Sequence, residues 1–235
     1  MTSPAGSIPP KKRILLVDDH AVVRDGIALW INQTADMEIC GQSSQTREAR
    51  DAIAALCPDA VITDIGMPGR DGLELTKDIK ARWPTLPVLI FSVHDESLYA
   101  GRALRAGARG YCHKNSGAES LIKALRTILQ GRMAFSAETT TQLLEESSGR
   151  QSVANPLAGL SDREFEVLRC FGIGQTNQEV AVSLGLSAKT VETHSLNIRK
   201  KLGLRSPAEL IRHAVHLCSV ETAMNAPSDT RQDAG

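Results

Sequence analysis

The chain has 235 residues, 42% of them hydrophobic, and 27 basic side chains balance 27 acidic ones to a formal charge of zero. Such a length suits one large domain or two small ones, and the charge balance excludes a global electrostatic pull on nucleic acid or anionic lipid. No apolar stretch is long enough to span a bilayer and the N-terminal MTSPAGSIPPKKR lacks the apolar segment of a secretory signal, so a cytoplasmic protein with no membrane partner is expected.

Past a tail over residues 1–12, short aliphatic runs alternate with longer helical stretches: ILLV at 14, MEICG at 37, AVIT at 60, PVLIFS at 87 and GYCH at 110. The runs are too uniformly apolar for a sheet with one wet face. Helices covering both sides imply an α/β doubly wound, five-stranded parallel sheet over residues 13–132. Residues 133–157 turn polar and end in Asn-Pro, as a linker would, with TTTQLLEES a candidate short helix.

Four helical segments without strands follow over residues 158–219, a small all-α domain, and residues 220–235 read as a loose tail. Ser161 with Glu164 and Thr176 with Glu179 have capping-box spacing, and Ser206 precedes Pro207 and Glu209. The five cysteines, Cys40, Cys57, Cys112, Cys170 and Cys218, are scattered and lack a C-x-x-C pair. They indicate neither zinc nor a disulfide framework, and read as reduced and mostly buried.

In open parallel sheets, functional groups collect beyond the carboxyl ends of the strands. Strand one ends on Asp18 and Asp19, strand three on Asp64, strand four on Ser92, and Lys114 follows strand five. An Asp after a strand also suits a helix cap, since AVVRDGIALWI begins at Ala21. Three carboxylates on one rim are costly, however: two of them about 5 Å apart repel by roughly 3 kcal/mol at an effective dielectric near 20. A hard cation with oxygen ligands, Mg²⁺, would offset that, and an Asp there can act as a nucleophile toward phosphorus, with Lys114 neutralising phosphoryl charge and Ser92 donating a hydrogen bond. His20 and His94 flank the site without a ligand partner at helical spacing, and read as bystanders or gates.

The set Asp18, Asp19, Asp64, Ser92, Tyr111 and Lys114, with MPGRDG after the central Asp, resembles the flavodoxin-like receiver domain of two-component response regulators. The resemblance implies that Asp64 accepts a phosphoryl group from a histidine kinase. It also implies that Asp18, Asp19, Asp64 and the Gly66 carbonyl hold Mg²⁺, and that Ser92 and an inward turn of Tyr111 transmit the switch. For Tyr111 a buried aromatic with a polar tip is the competing reading. Asn115 stands where many receivers have Pro; a cis bond before a non-proline residue would cost about 3 kcal/mol, so no strained loop is expected. Ser92 stands where many have Thr, which loosens its rotamer.

Within TNQEVAVSLGLSAKTVETHSLNIRKKLGL, residues 176–204, a helix, a turn at Gly185 and a second helix from Ser187 follow helix-turn-helix logic. Ala181 is small enough for a close crossing, and Leu184, Leu186 and Val191 are expected in the core between the helices. An ordinary small bundle fits the same pattern. Residues 158–219 carry eight basic and six acidic side chains, and Arg199, Lys200, Lys201 and Arg205 cluster at the second helix's end, to contact phosphates or to complement the macrodipole.

LSDREFEVLRCF, TNQEVAVSLGLSAKTVETH and KLGLRSPAELIRHA resemble the LuxR-type DNA-binding domain. Its fusion to a receiver is similar to the NarL/FixJ family. The resemblance implies a transcriptional regulator that binds double-stranded promoter DNA as a homodimer. Residues 187–202 would enter the major groove and Ser206–Leu217 would pair two subunits. Lys189, Thr190, Glu192, Thr193 and Leu196 would face bases, Asn197 and Lys200 the backbone, and Thr176 and Asn177 phosphate. His194 would be packed instead. A Mg²⁺-dependent phosphohydrolase would use the same carboxylates but leaves the C-terminal module without a purpose, so no enzyme is expected; a phosphorylation-independent DNA-binding regulator would keep the acidic cluster without using it.

Overall fold

The computed structural model of the chain describes residues 10–67, 71–137, 139–141 and 156–224. They fall into two compact units on either side of residues 144 and 145. Most of the N-terminal tail, the residues Pro68, Gly69 and Arg70 of MPGRDG, most of the linker and the last eleven residues lie outside the described residues.

In the first unit the strands are β1 (Lys12–Val17), β2 (Met37–Ser43), β3 (Ala60–Thr63), β4 (Val88–Ser92) and β5 (Gly110–His113). All pair in parallel, in the order β2-β1-β3-β4-β5. Between and after them run α1 (Ala21–Asn32), α2 (Thr46–Leu56), α3 (Gly72–Arg82), α4 (Glu96–Ala106) and α5 (Gly117–Leu129). The alternating faces of each strand explain the unbroken apolar runs. Ile14 and Leu16 join Ile27, Ile31, Leu121 and Leu125 in the core under α1 and α5. Leu15 and Val17, one residue out of phase, are equally buried, and α2, α3 and α4 touch one another in sequence. The strand order reverses between β1 and β3, and a crevice at the carboxyl ends follows from that reversal.

The polar stretch after α5 is part of this unit for its first residues. Ala134 forms a parallel bridge with Gly110, its carbonyl accepts from the Tyr111 N–H at 2.8 Å, and the Ser136 N–H donates to Glu96 Oε1 at 2.7 Å. Thr139 is buried. Burial pushes the Glu96 carboxyl upward, against the hydrogen bonds from Ser136 and Thr139. A linker beginning at 133 is therefore too early: residues 133–137 are held by β5 and α4, and residues 139–141 are helical.

The second unit holds a short 3₁₀ turn (Pro156–Gly159), α6 (Asp162–Gly172), α7 (Asn177–Ser183), α8 (Ala188–Leu202) and α9 (Pro207–Met224). Both expected capping boxes form, Ser161 with Glu164 and Thr176 with Glu179. The last helix runs beyond residue 217, to Met224, and so takes in part of the expected tail. Between α7 and α8, Gly185 has φ of 63°, and the Leu186 N–H closes onto the Ala181 carbonyl at 2.8 Å, which ends α7 in a left-handed turn. Phe165, Leu168, Phe171, Val180, Val191, Ile198, Leu210 and Ala214 form the buried centre. Leu184 and Leu186, expected in that core, are only half-buried. Of the cysteines only Cys112 is buried and Cys57 is exposed, so mostly buried thiols is a misreading.

Candidate phosphoacceptor and metal site, and nucleic-acid interface

The ends of β1 and β3 extend their ladders by one bond each: the Asp18 N–H donates to the Ser43 carbonyl at 3.2 Å and the Asp64 N–H to the Val17 carbonyl at 3.0 Å. These bonds aim two acidic side chains into one crevice. Asp18 and Asp64 are 1% and 5% exposed, and carboxylates so far from water need a counter-charge. Lys114 supplies it, its Nζ lying 2.6 Å from Asp18 Oδ2 and 2.6 Å from Asp64 Oδ2. Burial is the largest influence on that ammonium and opposes its charge, but the pull of Asp64 together with both hydrogen bonds outweighs it and raises the group above its ordinary 10.5.

Ligand atoms of Asp18, Asp19, His20 and Asp64 all lie within 4.8 Å of one another. Asp19 Oδ1 is buried with no hydrogen-bond partner; the His20 Nδ1 is 3.0 Å away. Three carboxylates against one ammonium leave two negative charges, which is what a divalent cation would neutralise. The orphaned oxygen and the oxygen donors of the three carboxylates fit Mg²⁺. Gly66 sits exposed on the loop after β3, and a Cβ built there would come 3.7 Å from His94 Nε2.

Around the carboxylates, Ser92 is fully buried at the end of β4 and its Oγ faces the His94 N–H at 3.4 Å. Tyr111 occupies the inward position, 4% exposed, with its hydroxyl donating to the His94 carbonyl at 2.9 Å. Burial pushes that phenol well above its usual range. His94 stacks on Tyr99, ring centroids 4.9 Å apart. The loop after β5 is a 3₁₀ turn (Lys114–Ser116), and no cis peptide occurs among the described residues, as Asn115 led one to expect.

His20, which reads from the sequence as a bystander or gate, brings its Nδ1 into the carboxylate cluster. Arg24 and the close approach of Gly72, the last residue of MPGRDG, have no counterpart in the sequence reading. Arg24 donates from its guanidinium to the Asp18 carbonyl, one turn into α1. Gly72, at the start of α3, lies so close to the Asp64 carbonyl oxygen that a Cβ there would come within 1.8 Å.

In the second unit Lys189, Glu192, Thr193, Leu196 and Lys200 are exposed along α8, and Thr190 and Asn197 are half-buried. Thr190 shares a hydrogen bond with the Ser187 hydroxyl at 2.7 Å, and Thr193 turns its hydroxyl back to the Lys189 carbonyl. His194 is half-buried, its Nδ1 enclosed without a hydrogen-bond partner. Lys201 is committed within the unit, 2.6 Å from Glu164 Oε2. Burial tends to raise the Glu164 carboxyl, but Lys201 and the Ser161 bonds hold it below the usual carboxylate range. Thr176 gives both its N–H and its hydroxyl to Glu179 Oε2, at 2.8 Å each, while Asn177 is exposed.

The family description "Response regulator receiver domain" matches residues 14–126, and "Bacterial regulatory proteins, luxR family" matches residues 158–214. The oxygen regulatory protein NreC of Staphylococcus aureus is 38% identical over 209 residues, covering 86% of this chain and 96% of its own. Among solved structures, the Salmonella typhimurium response regulator RcsB superposes with a TM-score of 0.66 at 27% identity, covering 88% of this chain and 98% of that one. A LuxR-family two-component response regulator from Aurantimonas sp. SI85-9A1 superposes with a TM-score of 0.55 at 34% identity, covering 59% of this chain and 99% of that one. RcsB has also been solved bound to a promoter in the presence of the phosphomimetic BeF3⁻, with a TM-score of 0.64 and 25% identity over 88% of this chain.

A receiver sheet followed by a helix-turn-helix domain is the build of a DNA-binding two-component response regulator. Within that class, the chain belongs to the NarL/FixJ family, with a LuxR-type DNA-binding domain. No helix among the described residues is long and apolar enough to cross a membrane.

Proposed function

We propose that Asp64 is the phosphoacceptor of a cytoplasmic, DNA-binding transcriptional regulator, with a histidine kinase as donor and Mg²⁺ held by Asp18, Asp19, Asp64 and the Gly66 carbonyl. The observation that carries this reading is the Lys114 ammonium, 2.6 Å from carboxylates on two separate strands, beside an orphaned Asp19 oxygen. When bound, the cation would neutralise phosphoryl charge in transit.

Asp64 Oδ1 accepts the Ile65 N–H at 2.7 Å, which leaves Oδ2, now on Lys114, as the oxygen to be phosphorylated. A swing of the ammonium onto an incoming phosphoryl oxygen releases Oδ2. Its bond to phosphorus then forms as the bond from phosphorus to the donor's imidazole nitrogen, or to the oxygen of an acyl phosphate, breaks and the leaving group keeps the electron pair. Ser92 would donate a hydrogen bond from its hydroxyl to a phosphoryl oxygen. Tyr111, inward and bonded to the His94 carbonyl, ties β5 to the loop that Ser92 would move. Transfer to a residue of the chain itself is stoichiometric until the acyl phosphate is hydrolysed and Asp64 is regenerated.

With Mg²⁺ and acetyl phosphate, the wild type should gain one phosphoryl group by intact mass and Asp64→Asn none. Equal labelling of the variant would exclude Asp64 as acceptor.

The same proposal gives base reading to Lys189, Thr190, Glu192, Thr193 and Leu196 and backbone contact to Asn197 and Lys200. With the Thr176 donors on Glu179, the phosphate contact at the start of α7 falls to Asn177. On α9, Ile211 and Val215 are 41% and 45% exposed one turn apart, which supports pairing of two copies through that helix. Lys189→Ala and Lys200→Ala should both weaken binding to promoter DNA. Lys200→Ala should also reduce the salt slope by about 1, while Lys201→Ala, whose ammonium is on Glu164, should leave the slope unchanged. Unaltered affinity in the first two variants would count against α8 as the reading helix.

A further inference from the structure

We infer that His113 is a positioning residue for Lys114, its imidazole holding the loop after β5 in the arrangement that lets the ammonium reach Asp64 and Asp18. The inference rests on the phosphoacceptor reading above. Lys114 follows β5, yet its targets end β3 and β1; β3 is two strand spacings away, about 9.6 Å, and β4 lies between. The loop must therefore lean over the end of β4.

Both imidazole nitrogens serve that geometry. Nε2 lies 2.8 Å from the Val93 carbonyl, the first residue past β4, and Nδ1 accepts the Asn115 N–H at 3.2 Å. A carbonyl only accepts and an amide N–H only donates, so one tautomer, protonated on Nε2, satisfies both contacts. The same residue's carbonyl accepts the Ser116 hydroxyl at 2.6 Å, which closes the 3₁₀ turn. His113 thus clamps β5 to β4 on one side of Lys114 and caps the turn on the other. The cap needs an N–H at position 115, which Asn supplies and Pro could not. None of these bonds touches Asp18, Asp19 or Asp64, so the effect on the reaction runs through Lys114.

The test uses the full-length protein with Mg²⁺ and acetyl phosphate, comparing wild type, His113→Leu, His113→Asn and Asp64→Asn by the initial rate of phosphoryl gain, with a thermal melt of each. His113→Leu should lose roughly ten- to a hundred-fold in rate, the scale set by misplacing a reacting group by an ångström. Its half-saturating Mg²⁺ should not rise above the wild-type value, since a displaced ammonium competes less for Asp18 and Asp64. His113→Asn, whose Oδ1 can replace Nδ1 as acceptor for the Asn115 N–H, should recover most of the rate. A His113→Leu variant as fast as wild type, or a His113→Asn variant no faster than His113→Leu, would overturn the inference, as would a rate loss matched by an equal loss of Mg²⁺ affinity. Labelling of Asp64→Asn would instead overturn the phosphoacceptor reading beneath it.

Discussion

Gly72→Ala should destabilise the first unit by roughly 3 kcal/mol or more, lowering its Tm by about 10 °C. A Cβ on residue 72 would sit 1.8 Å from the Asp64 carbonyl oxygen, 2.8 Å from the Asp64 carbonyl carbon and 3.0 Å from Thr63 Oγ1. The first two are backbone atoms at the end of a strand buried on both faces, and they cannot yield as a flexible side chain would. Helix α3 starts against that carbonyl because the Gly72 N–H bonds the Ile65 carbonyl at 3.1 Å and Asp71 caps the Glu74 N–H at 2.7 Å. The methyl therefore has to push α3 away or shift Asp64 itself. Gly66→Ala is the contrast: its nearest approach is 3.7 Å, to His94 Nε2, an ordinary contact, and its Tm should stay close to wild type. Thermal melts of the two variants decide the matter. A Gly72→Ala protein that melts with the wild type would mean that the helix start does not press on Asp64 as described.

That close approach is invisible in a string of residues, whereas the carboxylates it positions are not. Ile14 to Val17 followed by Asp18, and Ala60 to Thr63 followed by Asp64, announce their strands and the rim groups beyond them, because strand burial and strand ends are written locally. The capping boxes at Ser161 and Thr176 are legible for the same reason: four consecutive residues contain the whole interaction. What escaped depends on chain segments far apart in sequence. Ala134 joins the sheet through a single bridge to Gly110, too short to leave an alternating pattern, and Glu96 receives Ser136 across forty positions. Lys201 reads as one of a basic cluster that could contact phosphates or complement the macrodipole, yet Glu164, thirty-seven residues earlier, holds it. Charge clusters in sequence overstate the charge available to a ligand wherever one member is spent inside the fold.

Lys114→Met is expected to make the stability of the first unit depend steeply on Mg²⁺ while removing phosphoryl transfer. In the wild type the ammonium lies between side chains that are only 2% and 5% exposed, those of Asp18 and Asp64. Removing one partner of a buried charge cluster leaves the remaining charges uncompensated, at a cost of about 3–5 kcal/mol. In the presence of a chelator the variant should therefore melt well below the wild type. Adding Mg²⁺ should narrow the gap, since a ligand at a hundred times its Kd stabilises by about 2.7 kcal/mol and no ammonium competes for Asp18 and Asp64. The pH dependence has a definite sign. A lysine raised above 10.5 in the folded chain contributes its full stabilisation below that value and loses it as pH rises through the higher, folded one. The difference in stability between wild type and variant should accordingly be flat across neutral and mildly alkaline pH and shrink only beyond about 10.5. Transfer from acetyl phosphate should fall by roughly 10²–10³-fold even at saturating Mg²⁺, the scale of losing one electrostatic donor to a developing charge. A variant as stable as wild type in chelator, or one indifferent to added Mg²⁺, would show that Lys114 does not neutralise these carboxylates.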